Sequence, residues 1–141
     1  MAHATESLIR TRHVWLPVAG GAIEGDLSVP ERATGIVLFA HGSGSSRLSP
    51  RNRKVARELQ ESGLATLLFD LLTPMEEEED KRTGRLRFDV NLLAERLITV
   101  TDLVAEGLGE GLFRIGYFGA STGSAAALVA AAKRPGPATV E

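Results

Sequence analysis

The sequence has no cysteine in 141 residues. That excludes a disulfide scaffold, a thiol nucleophile and a cysteine-ligated metal. Histidine is scarce: His3, His13 and His41 lie far apart and show no metal-ligand spacing. Aromatic residues make up 5% of the chain. Thirteen of the 16 basic residues are Arg, but no Arg cluster is interleaved with aromatics as in a nucleic-acid surface. The formal net charge is −2, which implies no general attraction to nucleic acid or to anionic membranes. Long hydrophobic runs are missing too. The longest near-apolar stretch, residues 124–132, falls far short of the roughly 20 that a spanning helix needs. Met1 to Arg10 contain no apolar core of a secretory signal. The expectation is a soluble, cytoplasmic protein that needs no cofactor and no metal and binds neither nucleic acid nor membrane.

What is present fits one globular domain over residues 1–141, with 1–10 as a flexible tail: 43% of residues are hydrophobic and 24% charged. Residues 11–18 and 22–29 read as a hairpin around Gly20 and Gly21. Residues 35–40 (GIVLFA) and 65–70 (ATLLFD) are continuous apolar runs without alternation, the pattern of strands buried on both faces of a parallel sheet. Between them Ser49-Pro50 reads as a helix start and Gly63 as its end. Residues 71–86 read as a long polar connection. In it Glu76 to Asp80 are five acidic residues in a row, which read as a solvated loop or helix end. Residues 89–106 predict an amphipathic helix with Val90, Leu93, Ala94, Leu97, Val100 and Val104 on one face. A break at Gly107 to Gly111, a strand over 113–118 and a small-residue helix over 124–133 complete the pattern.

Gly119-Ala120-Ser121-Thr122-Gly123 is G-x-S-x-G. Chance alone gives about 0.1 matches in such a composition, so the context must decide. The string directly follows a predicted strand and directly precedes a predicted helix, as a nucleophile elbow does. Ser121 would sit at the apex, with Gly119 and Gly123 sparing the turn a Cβ clash. The helix N-terminus would aim free N–H groups at that apex. His41-Gly42-Ser43-Gly44 follow the earlier buried strand. In an elbow enzyme one oxyanion-hole N–H comes from the residue after the nucleophile, here Thr122. The other comes from this loop, here Ser43, with Gly42 and Gly44 letting the backbone turn.

These residues, together with SPRN (49–52), GLATLLFDLLTP (63–74) and LRFD (86–89), resemble the dienelactone hydrolase-like α/β-hydrolases over most of residues 22–133. The resemblance implies the N-terminal part of an α/β-hydrolase fold. That is a mostly parallel sheet with an antiparallel N-terminal hairpin, in order 1-2-4-3-5, incomplete at the C-terminus. It also implies a bracing role for His41 at the oxyanion loop; a general-base role is the alternative. Dienelactone hydrolases proper use a cysteine. With Ser121 in that position, the chemistry should resemble the serine esterases, acting on a small acyl substrate such as an ester or lactone.

An elbow enzyme places its acid and histidine after the nucleophile. The 20 residues after Ser121 contain neither Asp nor His. The chain therefore reads as a truncated or split hydrolase, inactive or feeble alone. Its strand Phe113 to Phe118 would be left as an edge with Ile115, Tyr117 and Phe118 exposed, suited to self-association or to a complementing C-terminal fragment. Two other readings stay open. One is a dinucleotide-binding fragment built on Gly42 to Arg47 with Asp70 as the ribose acid, although position 47 is not glycine. The other is a non-catalytic interaction module. Arg47, Arg51 and Arg53 read as a solvated helix start, with attraction of a substrate carboxylate as the alternative.

Overall fold

The computed structural model describes residues 8–108 and 114–134. The first two strands, β1 (Ile9–Val18) and β2 (Gly21–Pro30), form an antiparallel hairpin in unbroken register from Ile9↔Pro30 to Val18↔Gly21. The strand starts at Ile9, inside the segment expected to be tail, because Ile9 and Arg10 pair with Pro30 and Val29. In β1 Val14 and Leu16 face the core while His13 and Trp15 face out, the two-residue period of a half-buried strand.

The buried runs are strands β3 (Gly35–Ala40) and β4 (Ala65–Phe69), joined through helix α1 (Pro50–Glu61). Ser49 caps α1, its Oγ accepting from Asn52 N, and Pro50 opens the first turn. The fifth strand, β5, runs from Arg114 to Gly119. The order is β1-β2-β4-β3-β5, as the resemblance implied, with β3 parallel to β4 and β5, and β2 antiparallel to β4.

The connection over 71–86 is not a solvated loop. It holds helix α2 (Pro74–Thr83), started by a reciprocal capping box: Thr73 Oγ1 accepts from Glu76 N, and Thr73 N donates to the Glu76 carboxylate. Gly84 ends it at φ 68. The acidic run is split between a solvent-facing side with Glu78 and a protein-facing side with Glu76 and Asp80, four residues apart. Glu76 receives two hydrogen bonds from the buried Arg96, both at 2.6 Å. Asp80 is buried and accepts from Leu86 N, Arg87 N and Arg87 Nε. Burial alone would raise both carboxyl pKa values. The hydrogen bonds and charges of Arg96 and Thr73 around Glu76, and the bonds from Arg87 and Leu86 around Asp80, outweigh it and hold both below their ordinary values.

Helix α3 (Val90–Leu103) is capped by Asp89 and runs into a wide turn that ends at Leu108. Helix α4 spans Thr122–Lys133. Leu93, Ala94, Leu97 and Val100 of α3 and Ala126, Ala127 and Ala130 of α4 share one core with Leu16, Ile23, Leu27, Leu38, Leu67 and Phe69 of the sheet. The small residues of α4 let its backbone lie close against the sheet. The opposite face is thinner: Ala56 of α1 packs on Phe39 and Leu68, with Val55, Leu59, Val37 and Phe118 around them.

Strand β5 differs from expectation. Phe113 lies outside the described residues, but Ile115 and Tyr117 are buried, not exposed, because α3 and α4 cover that side of the strand. Tyr117 OH bonds Thr101 Oγ1 at 2.8 Å. Half-buried Phe118 faces the other way, against Phe39. Among the described residues no helix is long and apolar enough to cross a membrane.

Candidate active site

The G-x-S-x-G string folds as a sharp strand-to-helix turn. Ser121 stands two residues after β5 and directly before α4, at φ 56, ψ −124, a backbone conformation that non-glycine residues rarely adopt. The turn is held by Ala120 N donating to Ala40 O, by Gly123 N to Ala120 O and by Ser124 N to Ser121 O. Its glycines are sterically required. A Cβ on Gly119 would stand 2.7 Å from Gly123 O, and a Cβ on Gly123 would overlap Ala40 O and stand 2.6 Å from His41 O. The elbow therefore presses against the end of β3 and the loop that follows it.

Ser121 is exposed, and its Oγ makes no hydrogen bond with a described residue. Thr122 N–H begins α4, so no intrahelical carbonyl can receive it. Thr122 Oγ1 is buried and has no hydrogen-bond partner among the described residues.

Loop 41–49 comes to the same place. A Cβ on Gly42 would lie 3.2 Å from both Ser121 Cβ and Ala120 O, so this backbone touches the elbow. Gly44 takes the left-handed conformation at φ 75, and Ser45 N closes a turn onto Gly42 O. Ser43 is half-buried and, with His41, Gly42, Gly44 and Thr122, lines a cavity of about 270 Å³. Leu71, Leu72 and Leu93 line it as well, together with Glu77, Lys81 and the Asp80–Arg87 pair.

His41 is buried beneath the loop. Leu71 N–H donates to its Nε2 at 3.0 Å, so that nitrogen is the unprotonated one. The proton sits on Nδ1, which reaches Gly42 O at 2.9 Å. With both nitrogens engaged, His41 has no lone pair to offer Ser121, and a general-base role does not fit. His13 lies on β1, between Asp26 Oδ1 at 3.1 Å and Glu24 Oε2 at 3.0 Å.

Arg51 is exposed, as a solvated helix start requires, but Arg47 departs from that reading. Arg47 is not solvated: its side chain is 16% exposed and its Nη1 pairs with Asp70 Oδ2 at 2.9 Å. Arg53 Nη2 bonds Asp26 Oδ2 at 3.1 Å. Asp70, the candidate ribose acid, is thus already occupied. The only sequence hints of this arrangement were an Arg late in the loop and an Asp at the end of the next strand. The α2 helix carries a clearer signal, not used in the expectation of a polar connection: Thr73-Pro74-Met75-Glu76 is a capping-box sequence with Pro at the first helical position.

No family model matches the chain. Two Mycobacterium tuberculosis proteins, named provisionally as phosphoribosyl transferases, are 51% identical to it over 129 residues, 92% of this chain and 28% of theirs. The crystal structure of a dienelactone hydrolase from Anabaena variabilis superposes with TM-score 0.90 at 56% identity, over 94% of this chain and 62% of that one. A cold-adapted esterase from an Arctic intertidal metagenomic library (TM-score 0.72, 17% identity, 94% of this chain and 59% of that one) shares the fold. So does a dienelactone hydrolase-like promiscuous phosphotriesterase from metagenomic libraries (TM-score 0.71, 17% identity, 94% and 57%). The chain thus spans under a third of the curated relatives it matches and under two thirds of the solved dienelactone hydrolase.

Proposed function

Because the chain carries part of an α/β-hydrolase fold, with dienelactone hydrolase and related α/β-hydrolase esterases as its solved neighbours, we propose that Ser121 is the nucleophile of a serine hydrolase acting on an ester, lactone or similar acyl compound. The observation that carries this reading is the elbow itself: a serine held at φ 56 between two glycines that leave no room for a Cβ. Strain of that kind persists only where the surrounding packing enforces it, and an exposed apex is where a nucleophile needs to be.

In the reaction Ser121 Oγ bonds to the acyl carbon, and the carbonyl oxygen takes up the negative charge. Thr122 N–H and Ser43 N–H receive that oxyanion. The alkoxide leaves with a proton, and water later releases the acid from Ser121. Catalysis gains from both N–H groups because they are fixed before charge develops. The proton of Ser121 Oγ needs an acceptor, and His13 and His41 are both committed elsewhere. In elbow enzymes the acid and histidine follow the nucleophile in the chain. Residues 1–141 are on this reading the nucleophile-bearing part of a longer or split hydrolase. Alone they retain about 10³–10⁴ over water at best, near background for an esterase.

The outer edge of β5 belongs to the same proposal. Among the described residues β5 is paired on one side only, with β3. Beside it an apolar groove of about 700 Å³ runs along Val37, Val55, Leu59, Leu64 and Phe118. Such an edge suits a second copy or a complementing C-terminal fragment. A cytoplasmic setting fits as well, since a chain without cysteine forgoes nothing in a reducing compartment.

The test is incubation with a fluorophosphonate probe, followed by peptide mass mapping. A slow adduct on Ser121, absent from Ser121→Ala, supports the hydrolase. No adduct, with saturable NAD binding instead, would favour the dinucleotide reading. Robust p-nitrophenyl acetate turnover lost in Ser121→Ala would show that a base is present after all.

A further inference from the structure

A backbone N–H stabilises an oxyanion only if it is held in place before the reaction. Loop 41–49 contains two glycines and four serines, and the hydrogen bonds within it are local turns: Ser45 N to Gly42 O, Ser49 N to Ser46 O and Leu48 N to Ser46 Oγ. It is tied down from outside by two consecutive residues beyond the end of β4. Leu71 N–H holds its near end through His41 Nε2. Asp70 holds its far end with both carboxylate oxygens: Oδ1 accepts Arg47 N–H and Oδ2 accepts Arg47 Nη1, each at 2.9 Å. The same guanidinium lies 3.3 Å from Glu24 Oε2 and 3.3 Å from Asp26 Oδ2 on β2. A planar guanidinium set among carboxylates of β2 and of the segment just after β4 fixes direction as well as distance.

We propose that Asp70 and Arg47 are positioning residues, a clamp that holds the 42–46 segment so that Ser43 N–H faces Ser121. The proposal rests on the reading of Ser121 as nucleophile and Ser43 as oxyanion donor. The sheet does not need this clamp. Strand β4 is paired with β2 and β3 on its two sides and is buried throughout. Helix α1 does not need it either, since Ser49 caps its start. What Asp70 holds through its carboxylate is the loop. The solvated or substrate-binding role considered for Arg47 gives way to this one.

The experiment compares the wild-type chain with Asp70→Asn and Asp70→Ala. Asn keeps an acceptor for Arg47 N–H but loses the charge; Ala loses both. Amide hydrogen exchange is read at Ser45 and Ser49, which donate within the loop, and at the amides that pair β3 with β4. Loop protection should fall about tenfold or more in Asp70→Ala and less in Asp70→Asn, with the strand amides unchanged. The rate of Ser121 phosphonylation per folded molecule should fall in the same order, by up to about 100-fold, as expected for a misplaced reacting group. Unchanged loop exchange in Asp70→Ala overturns the proposal. So does an equal loss in loop and strands, which would mark the pair as general scaffolding. If the wild type forms no Ser121 adduct, the hydrolase reading fails, and the exchange result alone upholds or overturns the clamp.

Discussion

Replacing Gly123 by alanine adds one methyl group at the tightest point of the elbow. Its Cβ would overlap Ala40 O and lie 2.6 Å from His41 O and 2.7 Å from Ala40 C. All three are backbone atoms at the end of β3 and the start of loop 41–49, so no flexible side chain can swing away. Restoring van der Waals contact requires α4 to retreat from β3 by on the order of 1 Å. Overpacking of this kind costs about 1–3 kcal/mol, and rigid neighbours put this site at the upper end. At roughly 3 °C per kcal/mol for a chain of this size, the melting temperature should fall by about 10 °C. Gly44→Ala is the control. It has open space around its Cβ and is unfavourable only through φ 75, so it should cost about 1 kcal/mol. Differential scanning calorimetry of the two variants decides. Gly123→Ala melting as high as Gly44→Ala would refute the claim that the elbow is jammed against β3.

Three further outcomes follow from the same contacts. Thr101 Oγ1 donates its proton to Leu97 O at 2.7 Å, so Tyr117 OH is the donor in the Tyr117–Thr101 bond; Tyr117→Phe should cost about 1 kcal/mol in urea unfolding. Glu76 and Asp80 have lowered carboxyl pKa values, so the stability they contribute is full above their ordinary values of 4.5 and 3.8 and is lost as pH falls through the lowered ones. A pH series of melting temperatures should show that acid loss diminished in Glu76→Gln, and an unchanged acid limb would contradict it. Purified residues 1–141 should self-associate through the β5 edge at tens of micromolar in sedimentation velocity, and a clean monomer with a cooperative melt would remove that edge from the account.

The parts legible in the sequence were those with a strong local signature. GIVLFA and ATLLFD can hardly be anything but central strands, and Leu93, Ala94, Leu97 and Val100 give α3 its buried stripe. The elbow was readable because its glycines answer to steric contact over a few residues. Helix α2 escaped because its charges look solvated one at a time. Only the fold brings Arg96 to Glu76 across 20 positions and wraps Arg87 around Asp80. The Arg47–Asp70 clamp escaped for the same reason: its partners are 23 residues apart and share no periodicity. The burial of Tyr117 is not legible in the sequence because α3 and α4 cover one side of β5, which no pattern within the strand reveals.

The central claim is that Ser121, Thr122 N–H and Ser43 N–H converge on one reacting carbonyl. A crystal structure of the chain phosphonylated at Ser121 tests it most directly. The account predicts one phosphoryl oxygen within about 2.7–3.1 Å of both nitrogens. An adduct whose oxygens all point to solvent, or that draws a hydrogen bond from Thr122 N–H while Ser43 N–H stays out of reach, would contradict it.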